Sequence, residues 1–319
     1  MDKSERLEAY FTAIDIKKIK GNSMLNFDLY IKNDKNFILY KNRNLVLKFD
    51  ELQRLYDKNL ENFYIHNKDT KNFRSYLETN IGEMLESENI PVQKKAEVLF
   101  ESAVNVVEDI FNNPRSGEAI QRSKEMVGHT VNFIVSAPNA FVNLMKIRRY
   151  DYYTFTHSVN VCTFLVSLAQ KFNITDKQTL KEIGEGGLLH DLGKSMISSA
   201  IINKNGKLTK AEFDEIKNHP AYGVKIAKET RDITDVSLSI IGQHHEKVTG
   251  RGYPKGLQSS ELNVYAKMAS IVDVYDAITT NRSYSNAKSP MEAAQFLLSI
   301  KEEFDSKILM TFIKMLAVQ

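Results

Sequence analysis

Five of the seven histidines in this chain lie between residues 157 and 245, and two of them stand beside another candidate metal ligand. His190 precedes Asp191, and His244 precedes His245. Imidazole and carboxylate groups bind metals of intermediate hardness such as Fe, Mn or Zn. Two such ions about 3.5–4 Å apart need a bridging ligand, and a carboxylate bridges more easily than an imidazole nitrogen. The pattern predicts a two-metal site with Asp191 as the bridge.

Geometry and burial extend this set of candidates. Adjacent helical residues point about 100° apart, so each neighbouring pair can approach the ions from two directions. Asp273 lies in the apolar run SIVDVYDAI, where a buried carboxylate is costly unless it is paired or metal-bound. Asp276 is expected instead to face solvent or cap a turn. His66 and His129 have no ligand-type partner nearby, which indicates ordinary core or surface residues.

The ordered motifs of this region resemble those of the HD-GYP branch of the HD-domain metal phosphohydrolases. In chain order they are THSVNV with His157, LLHDLGK with His190, Asp191 and Lys194, NHPAYG with His219, HHE at 244–246, GRGYP at 250–254, and DVYDAITTNRSY at 273–284. The resemblance runs from about Asn139 to near the C-terminus, which is over half of the chain.

The resemblance implies a bundle of helices that holds two divalent ions in its core, with iron or manganese favoured and zinc possible. The metal ligands that it implies are His157, His190, Asp191, His219, His244, His245 and Asp273. Asp191 and Lys194 would be catalytic, and Lys194 would hold the phosphate or assist the leaving group. Its spacing from His190 and Asp191 predicts that all three share one helix face. Arg282 and Tyr253 would contact the substrate or line its site.

The activity implied is hydrolysis of cyclic di-GMP to pGpG and possibly to GMP, by water made acidic on the two cations. The family also uses the GYP loop to recruit proteins with GGDEF domains. Two alternatives stay open: hydrolysis of another cyclic dinucleotide such as cyclic GMP-AMP, and a catalytically weak module that binds cyclic dinucleotides or partners.

Three positions depart from the family pattern. Members with a third metal carry a glutamate where this chain has Tyr153, so we expect two metals. Thr249 stands where an aspartate is usual, and Ser285 where a second basic residue is common. Losing one cation near a phosphate would cost on the order of 1–3 kcal/mol of binding. These departures motivate the alternatives of weak activity or a different cyclic dinucleotide.

The elements before the motifs predict an α+β chain. Residues 25–49 alternate in polarity as strands do, Asp50 is expected to cap a short helix, and 62–66 is expected to be another strand. Helical periodicity follows Pro91 and is broken at Pro114 and Pro138. The domains expected are a small N-terminal α/β module at 1–85, sensory or regulatory, linking helices at 86–138, and the all-α HD-GYP domain at 139–319. The linking helices offer a contact for a homodimer.

Composition sets the broad class. The chain has 319 residues, a formal net charge of +3 and one cysteine, Cys162. A single cysteine excludes an intrachain disulfide, and its apolar surroundings favour an inert buried thiol. The small net charge gives no support for binding a nucleic-acid polymer. Because no apolar run approaches the roughly 18 residues of a membrane helix and no signal core is apparent, we expect a cytoplasmic protein without a membrane span.

Overall fold

The computed structural model describes residues 8–34, 36–147, 154–204, 206–230, 232–280 and 287–317. The chain divides into two compact units, residues 1–102 and 103–319. The predicted class is confirmed, because a small antiparallel sheet near the N-terminus is followed by a helical domain. The predicted boundaries at 85 and 138 stay predictions.

The first unit is built on short strands. They are β1 (Phe11–Asp15), β2 (Ser23–Met24), β3 (Leu29–Asn33), β4 (Asn36–Lys41), β5 (Val46–Leu47) and β6 (Asn62–His66). β1, β6, β3 and β4 form an antiparallel sheet in that order, and β2 pairs with β5. On β6, Phe63 and Ile65 are fully buried and alternate with half-buried neighbours, as expected for a sheet with one face against the core. The strand predicted at 62–66 is confirmed.

Two helices complete this unit, α1 (Phe49–Asp57) and α2 (Thr70–Glu86). α2 packs through Phe73 and Tyr76 on Phe27, in the segment between β2 and β3, with ring centroids 5.4 and 5.3 Å apart. The expectation that Asp50 caps α1 is wrong. The cap position is Lys48, whose backbone N–H donates to the Glu51 carboxylate at 2.9 Å, so the helix begins two residues earlier than an Asp50 cap would place it.

The remaining helices begin after Pro91. They are α3 (Val92–Asn112), α4 (Gly117–Ser136), α5 (Ala140–Ile147), α6 (Thr154–Lys171), α7 (Lys177–Leu189), α8 (Ser199–Ile202), α9 (Lys210–Ile216), α10 (His219–Glu229), α11 (Asp235–Gln243), α12 (Val264–Thr279), α13 (Pro290–Ser299) and α14 (Ser306–Leu316). The breaks predicted at Pro114 and Pro138 fall between helices, because proline lacks the N–H that a helix interior requires. None of the described helices is both long and apolar enough to cross a bilayer.

Helix α6 lies at the centre of the second unit. Every residue from 156 to 169 on it is buried, so it is covered on all sides, as in the core of a large domain. The Phe164 ring packs edge-on against Tyr275 of α12 and Phe312 of α14, at 5.4 and 5.7 Å between centroids. Cys162 is 2% exposed, and burial raises the pKa of its thiol to about 12. A ligand placed on this stretch of α6 is therefore held by a helix that is packed on all sides.

Candidate metal centre

The seven predicted ligands converge in the second unit from five parts of the chain. α6 carries His157, the residues just after α7 are His190 and Asp191, α10 begins with His219, the residues just after α11 are His244 and His245, and α12 carries Asp273. Six of them form two groups, in each of which the ligand atoms lie within 4.8 Å of one another. The inner group is His157, His190 and Asp191, and the outer group is His219, His244 and His245.

Two carboxylates reach both groups. Asp191 Oδ2 lies 3.4 Å from His190 Nε2, while Asp191 Oδ1 lies 3.3 Å from His219 Nε2. Asp273 does the same: its Oδ1 is 3.1 Å from His157 Nε2 and its Oδ2 is 3.4 Å from His245 Nδ1. The sequence pattern had singled out only Asp191 as a bridge. Asp273 is a second carboxylate positioned between the groups.

The ends of three helices orient three of the imidazoles. His190 Nδ1 donates to the Gly187 carbonyl at 2.8 Å, and His219 Nδ1 donates to the Ile216 carbonyl at 2.7 Å. His244 Nδ1 donates to the carbonyl of Ile241 at 3.0 Å. These carbonyls belong to the last turns of α7, α9 and α11, where no helical N–H is available to them. Each contact therefore gives a carbonyl oxygen at a helix end a hydrogen-bond donor and fixes the orientation of the imidazole ring.

These bonds also settle where the proton of each ring is. A carbonyl oxygen only accepts, so the Nδ1 atoms of His190, His219 and His244 carry hydrogen, and in a neutral ring of this tautomer Nε2 presents a lone pair. The Nε2 atoms of His157 and His190 are 3.1 Å apart, and those of His219 and His244 are also 3.1 Å apart. Facing lone pairs repel unless a proton or a cation lies close to both.

A divalent cation fits this donor set better than a proton does. Burial lowers the pKa of His244 well below its usual range, and the neighbouring histidines act in the same direction. Burial also lowers the pKa of His245, to about 3, although Asp273 opposes it. Asp191 Oδ1 is buried and makes no hydrogen bond within the described part of the chain. Neutral imidazoles and an unbonded carboxylate oxygen are ligands for Fe, Mn or Zn.

The two carboxylates keep their charge despite burial. Burial alone would raise the pKa of Asp191, but Lys194 and the surrounding imidazoles outweigh it and hold that pKa well below its usual range. Asp273 behaves likewise, with His157 and His245 as the main opposing groups. Each carboxylate is therefore ionised near neutral pH, as a metal ligand must be.

Asp276 is a functional residue whose role the sequence analysis missed. The expectation that it faces solvent or caps a turn is wrong, because it is fully buried and its Oδ2 accepts from His157 Nδ1 at 2.7 Å. A carboxylate behind a ligating histidine fixes the ring and makes it more basic. The signal was present in the spacing: residues three apart on α12, Asp273 and Asp276, share one helix face.

Lys194 lies beside Asp191, but a continuous helix does not place it there. The predicted shared helix is wrong, because α7 ends at Leu189 and a 3-10 turn spans Leu192–Met196. In a 3-10 turn, residues three apart eclipse each other. The Lys194 Nζ atom consequently lies 2.6 Å from Asp191 Oδ2, with 19% of its side chain exposed.

This turn also packs directly on α10. A side chain at Gly193 would place its Cβ 1.9 Å from the His219 carbonyl and 2.4 Å from the Gly223 nitrogen. Only glycine permits that approach of the two backbones. The glycine in LLHDLGK therefore brings His219, from the outer group, against the segment that carries His190 and Asp191.

The GYP loop folds back on the HHE segment through Glu246, to which the sequence analysis assigned no role. Glu246 is 1% exposed, and its carboxylate accepts the backbone N–H groups of Lys255 at 2.7 Å and Leu257 at 3.1 Å. A Cβ at Gly252 would lie 2.4 Å from Glu246 Cα. As a result the Tyr253 ring lies 4.6 Å from that of His245 between centroids, as expected for a residue that lines the site.

Thr249 forms an isolated bridge with Gln258 at the base of the loop. Tyr153, Arg282 and Ser285 lie outside the described residues.

Comparison with known proteins gives an independent view of this chain. The sequence profile of the HD domain family matches residues 134–308. The chain is 32% identical over 227 residues to a protein named cyclic di-GMP phosphodiesterase PA4108 from Pseudomonas aeruginosa, with 70% of this chain and 55% of the relative covered. It is 33% identical over 151 residues to a 3'3'-cGAMP-specific phosphodiesterase 3 from Vibrio cholerae, with 47% and 32% covered. It thus spans about half the length of the first relative and a third of the second.

A solved structure extends the likeness to nearly the whole chain. Bd1817, an HDG"Y"P protein from Bdellovibrio bacteriovorus, superposes with a TM-score of 0.67 at 26% sequence identity. The match covers 96% of this chain and 99% of that one.

Proposed function

We propose that this chain, which belongs to the HD domain family, is a metal-dependent phosphodiesterase that hydrolyses cyclic di-GMP to pGpG and possibly to GMP. One observation supports this most directly. Two groups of imidazoles, with Nε2 atoms 3.1 Å apart within each group, are joined by the ionised carboxylates of Asp191 and Asp273. Such a site suits two cations that act together on a phosphodiester.

The inner and outer groups would each hold one divalent ion, with Asp191 shared between them. We favour iron or manganese, because the donors are imidazole and carboxylate, and zinc fits the same donors. Bound divalent ions of this kind polarise phosphoryl oxygens and lower the pKa of coordinated water. Asp276 would keep the His157 ring in the orientation needed for ligation.

Lys194 would act on the substrate itself. Its ammonium group is held beside Asp191 and is partly open to solvent, so it can lie against a non-bridging phosphate oxygen. A fixed positive charge at that position stabilises the charge that develops in the transition state. Tyr253 would line the site next to His245, and Arg282 would contact the dinucleotide.

Cyclic GMP-AMP is the second candidate substrate. One similar protein carries the name of a 3'3'-cGAMP-specific phosphodiesterase, and both cyclic dinucleotides present the same 3',5'-phosphodiester to the metals. Discrimination between them would rest on contacts with one base, so the metal chemistry proposed is common to both.

We further propose that residues 139–319 carry the activity and that 1–85 form a sensory or regulatory module of a cytoplasmic protein. All seven proposed ligands lie between 157 and 273, which supports the first assignment. The GYP loop would contact GGDEF-domain proteins, and two chains would associate as a dimer. A pull-down with isolated GGDEF domains and sedimentation of the full chain test these two points; absence of capture and a monomer, respectively, would contradict them.

The activity is tested by incubating protein loaded anaerobically with Fe(II) or Mn(II) with cyclic di-GMP and separating the products. We expect pGpG or GMP from the wild-type chain and neither from Asp191→Ala. Cleavage of cyclic GMP-AMP alone would favour the second substrate. If both dinucleotides stay intact with a metal-replete sample, the hydrolase proposal is wrong and a binding module takes its place.

A further inference from the structure

A cleft of about 460 Å³ opens between α4 and α7, and none of the seven proposed metal ligands lines it. This volume lies within the range of small-molecule sites, roughly 300–1,000 Å³. Its charged lining residues come from α4, from α7 and from the segment before α11. They are Lys124, Glu125, Lys181, Glu182, Glu185 and Asp232.

Glu185 is a buried carboxylate that lines the cleft. It is 5% exposed, and apart from Val127 the other lining residues are half-buried or exposed. Its Oε2 accepts from the Ser237 hydroxyl at 2.7 Å. Its Oε1 is buried and has no hydrogen-bond partner among the residues that the structure describes. A buried carboxylate oxygen without a donor is costly, and an N–H donor that entered the cleft would remove that cost.

The surroundings of Glu185 do not meet this need. The Ser237 hydroxyl has a single proton and also lies 2.9 Å from the Glu182 carbonyl, so the two acceptors compete for it. Lys124 donates to the backbone oxygen of Asp232. Burial raises the pKa of Glu185, and although Lys124 opposes this, Glu182 and Asp232 raise it further.

The lining favours a cation over other ligands. Four carboxylates face two lysines, so the cleft is acidic overall. A bare metal ion is disfavoured, because both described groups of three ligand-type residues belong to the candidate metal centre. We propose that the cleft binds a small organic cation whose ammonium or guanidinium N–H donates to Glu185 Oε1. This site is separate from the proposed hydrolysis and does not depend on it.

Titration calorimetry with the full chain at fixed ionic strength tests the proposal. The probes are 1,4-diaminobutane, 4-aminobutylguanidine and tetramethylammonium, which has the charge but no N–H. We expect one site for at least one of the first two probes and no binding of tetramethylammonium. Glu185→Gln, which keeps the shape and removes the charge, should weaken binding by roughly tenfold or more.

Glu125→Gln is the matched control. It neutralises another lining carboxylate, but one that is exposed and accepts from Gln121, and binding should stay within about twofold of wild type. If Glu185→Gln fails to fold by circular dichroism, Gly128→Leu replaces it. A Cβ at Gly128 meets only ordinary contact, 3.6 Å from Lys181 Cε, and the larger side chain should fill the cleft and abolish binding. Failure of both N–H probes to bind wild type at millimolar concentration, or equal binding by wild type and Glu185→Gln, contradicts the proposal.

Discussion

The inner and outer ligand groups use the same residue types but are held in different ways. In the inner group every side chain is about 1% exposed, and His157 lies in the buried stretch 156–169 of helix α6. In the outer group His245 is 22% exposed, and its ring lies tilted against that of Tyr253 in the GYP loop. The packed core thus fixes the first group, whereas a loop completes the second. If the proposed activity is correct, this difference predicts that the substrate approaches from the outer group.

Asp191 contacts both ligand groups, so its substitution should reduce activity more than any other change. Asp191→Ala removes a ligand from both, and we expect kcat/KM to fall by more than about 1,000-fold, since the ions supply several kcal/mol of transition-state stabilisation. Metal content measured by mass spectrometry should fall with it. Asp214→Ala, at an exposed pair with Lys217, is the control. Full metal content in Asp191→Ala would break the idea of a shared ligand.

Lys194 separates chemistry from metal binding. Lys194→Met keeps the length of the side chain and removes its charge, and we expect kcat to fall by about 100-fold, the scale for losing one preorganised stabilising group. Metal content should stay at that of wild type, because Lys194 contacts a ligand without being one. The control is Lys217→Met on the surface. Loss of metal in Lys194→Met would instead give this lysine a role in holding Asp191.

Asp276 should act on the inner group alone. Asp276→Ala removes the acceptor behind His157, and we expect about 10–100-fold weaker binding of one of the two ions. Asp276→Asn keeps an oxygen acceptor and should recover part of the affinity. A chelator titration removes the two ions in two steps. Only one of these steps should shift to a lower chelator concentration in the variant. A shift of both steps would show that Asp276 affects the metal affinity of both ligand groups.

Glu246 should act on the outer side alone and with the smallest effect. Glu246→Ala leaves the N–H groups of Lys255 and Leu257 without their acceptor, which costs about 1–3 kcal/mol of local stability. We expect faster proteolysis at 250–257 and a higher KM, with metal content unchanged. Glu302→Ala, at an exposed position, is the control. An unchanged KM would mean that the GYP loop does not contact the substrate.

The sequence predicts well which residues lie together in the candidate centre, because their order and spacing are specific. The predicted resemblance to HD-GYP proteins is confirmed at the family level, and the structure brings all seven expected ligands together. The roles proposed for them stay predictions. Asp276 was misjudged although its spacing from Asp273 places both on one face. Residue types in a motif indicate which groups bind metal, but the groups behind them depend on helix phase.

Features that depend on backbone contacts were harder to predict. The partners of Glu246 are N–H groups of a loop nine and eleven residues away, and no side-chain pattern indicates them. The 3-10 turn that carries Lys194 was expected to be helix, because the spacing of three suits both. In the first unit, alternation indicated strands, but the order β1–β6–β3–β4 joins distant segments, and alternation within one strand does not specify its neighbour.

The central claim is that the two groups hold two cations with Asp191 between them. Anomalous diffraction at the iron edge, from crystals of protein loaded anaerobically with Fe(II), tests it most directly. We expect two peaks per chain, one at the inner group and one at the outer group, each adjacent to a different oxygen of Asp191. A third peak, a single peak, or peaks away from the Asp191 carboxylate would contradict the account.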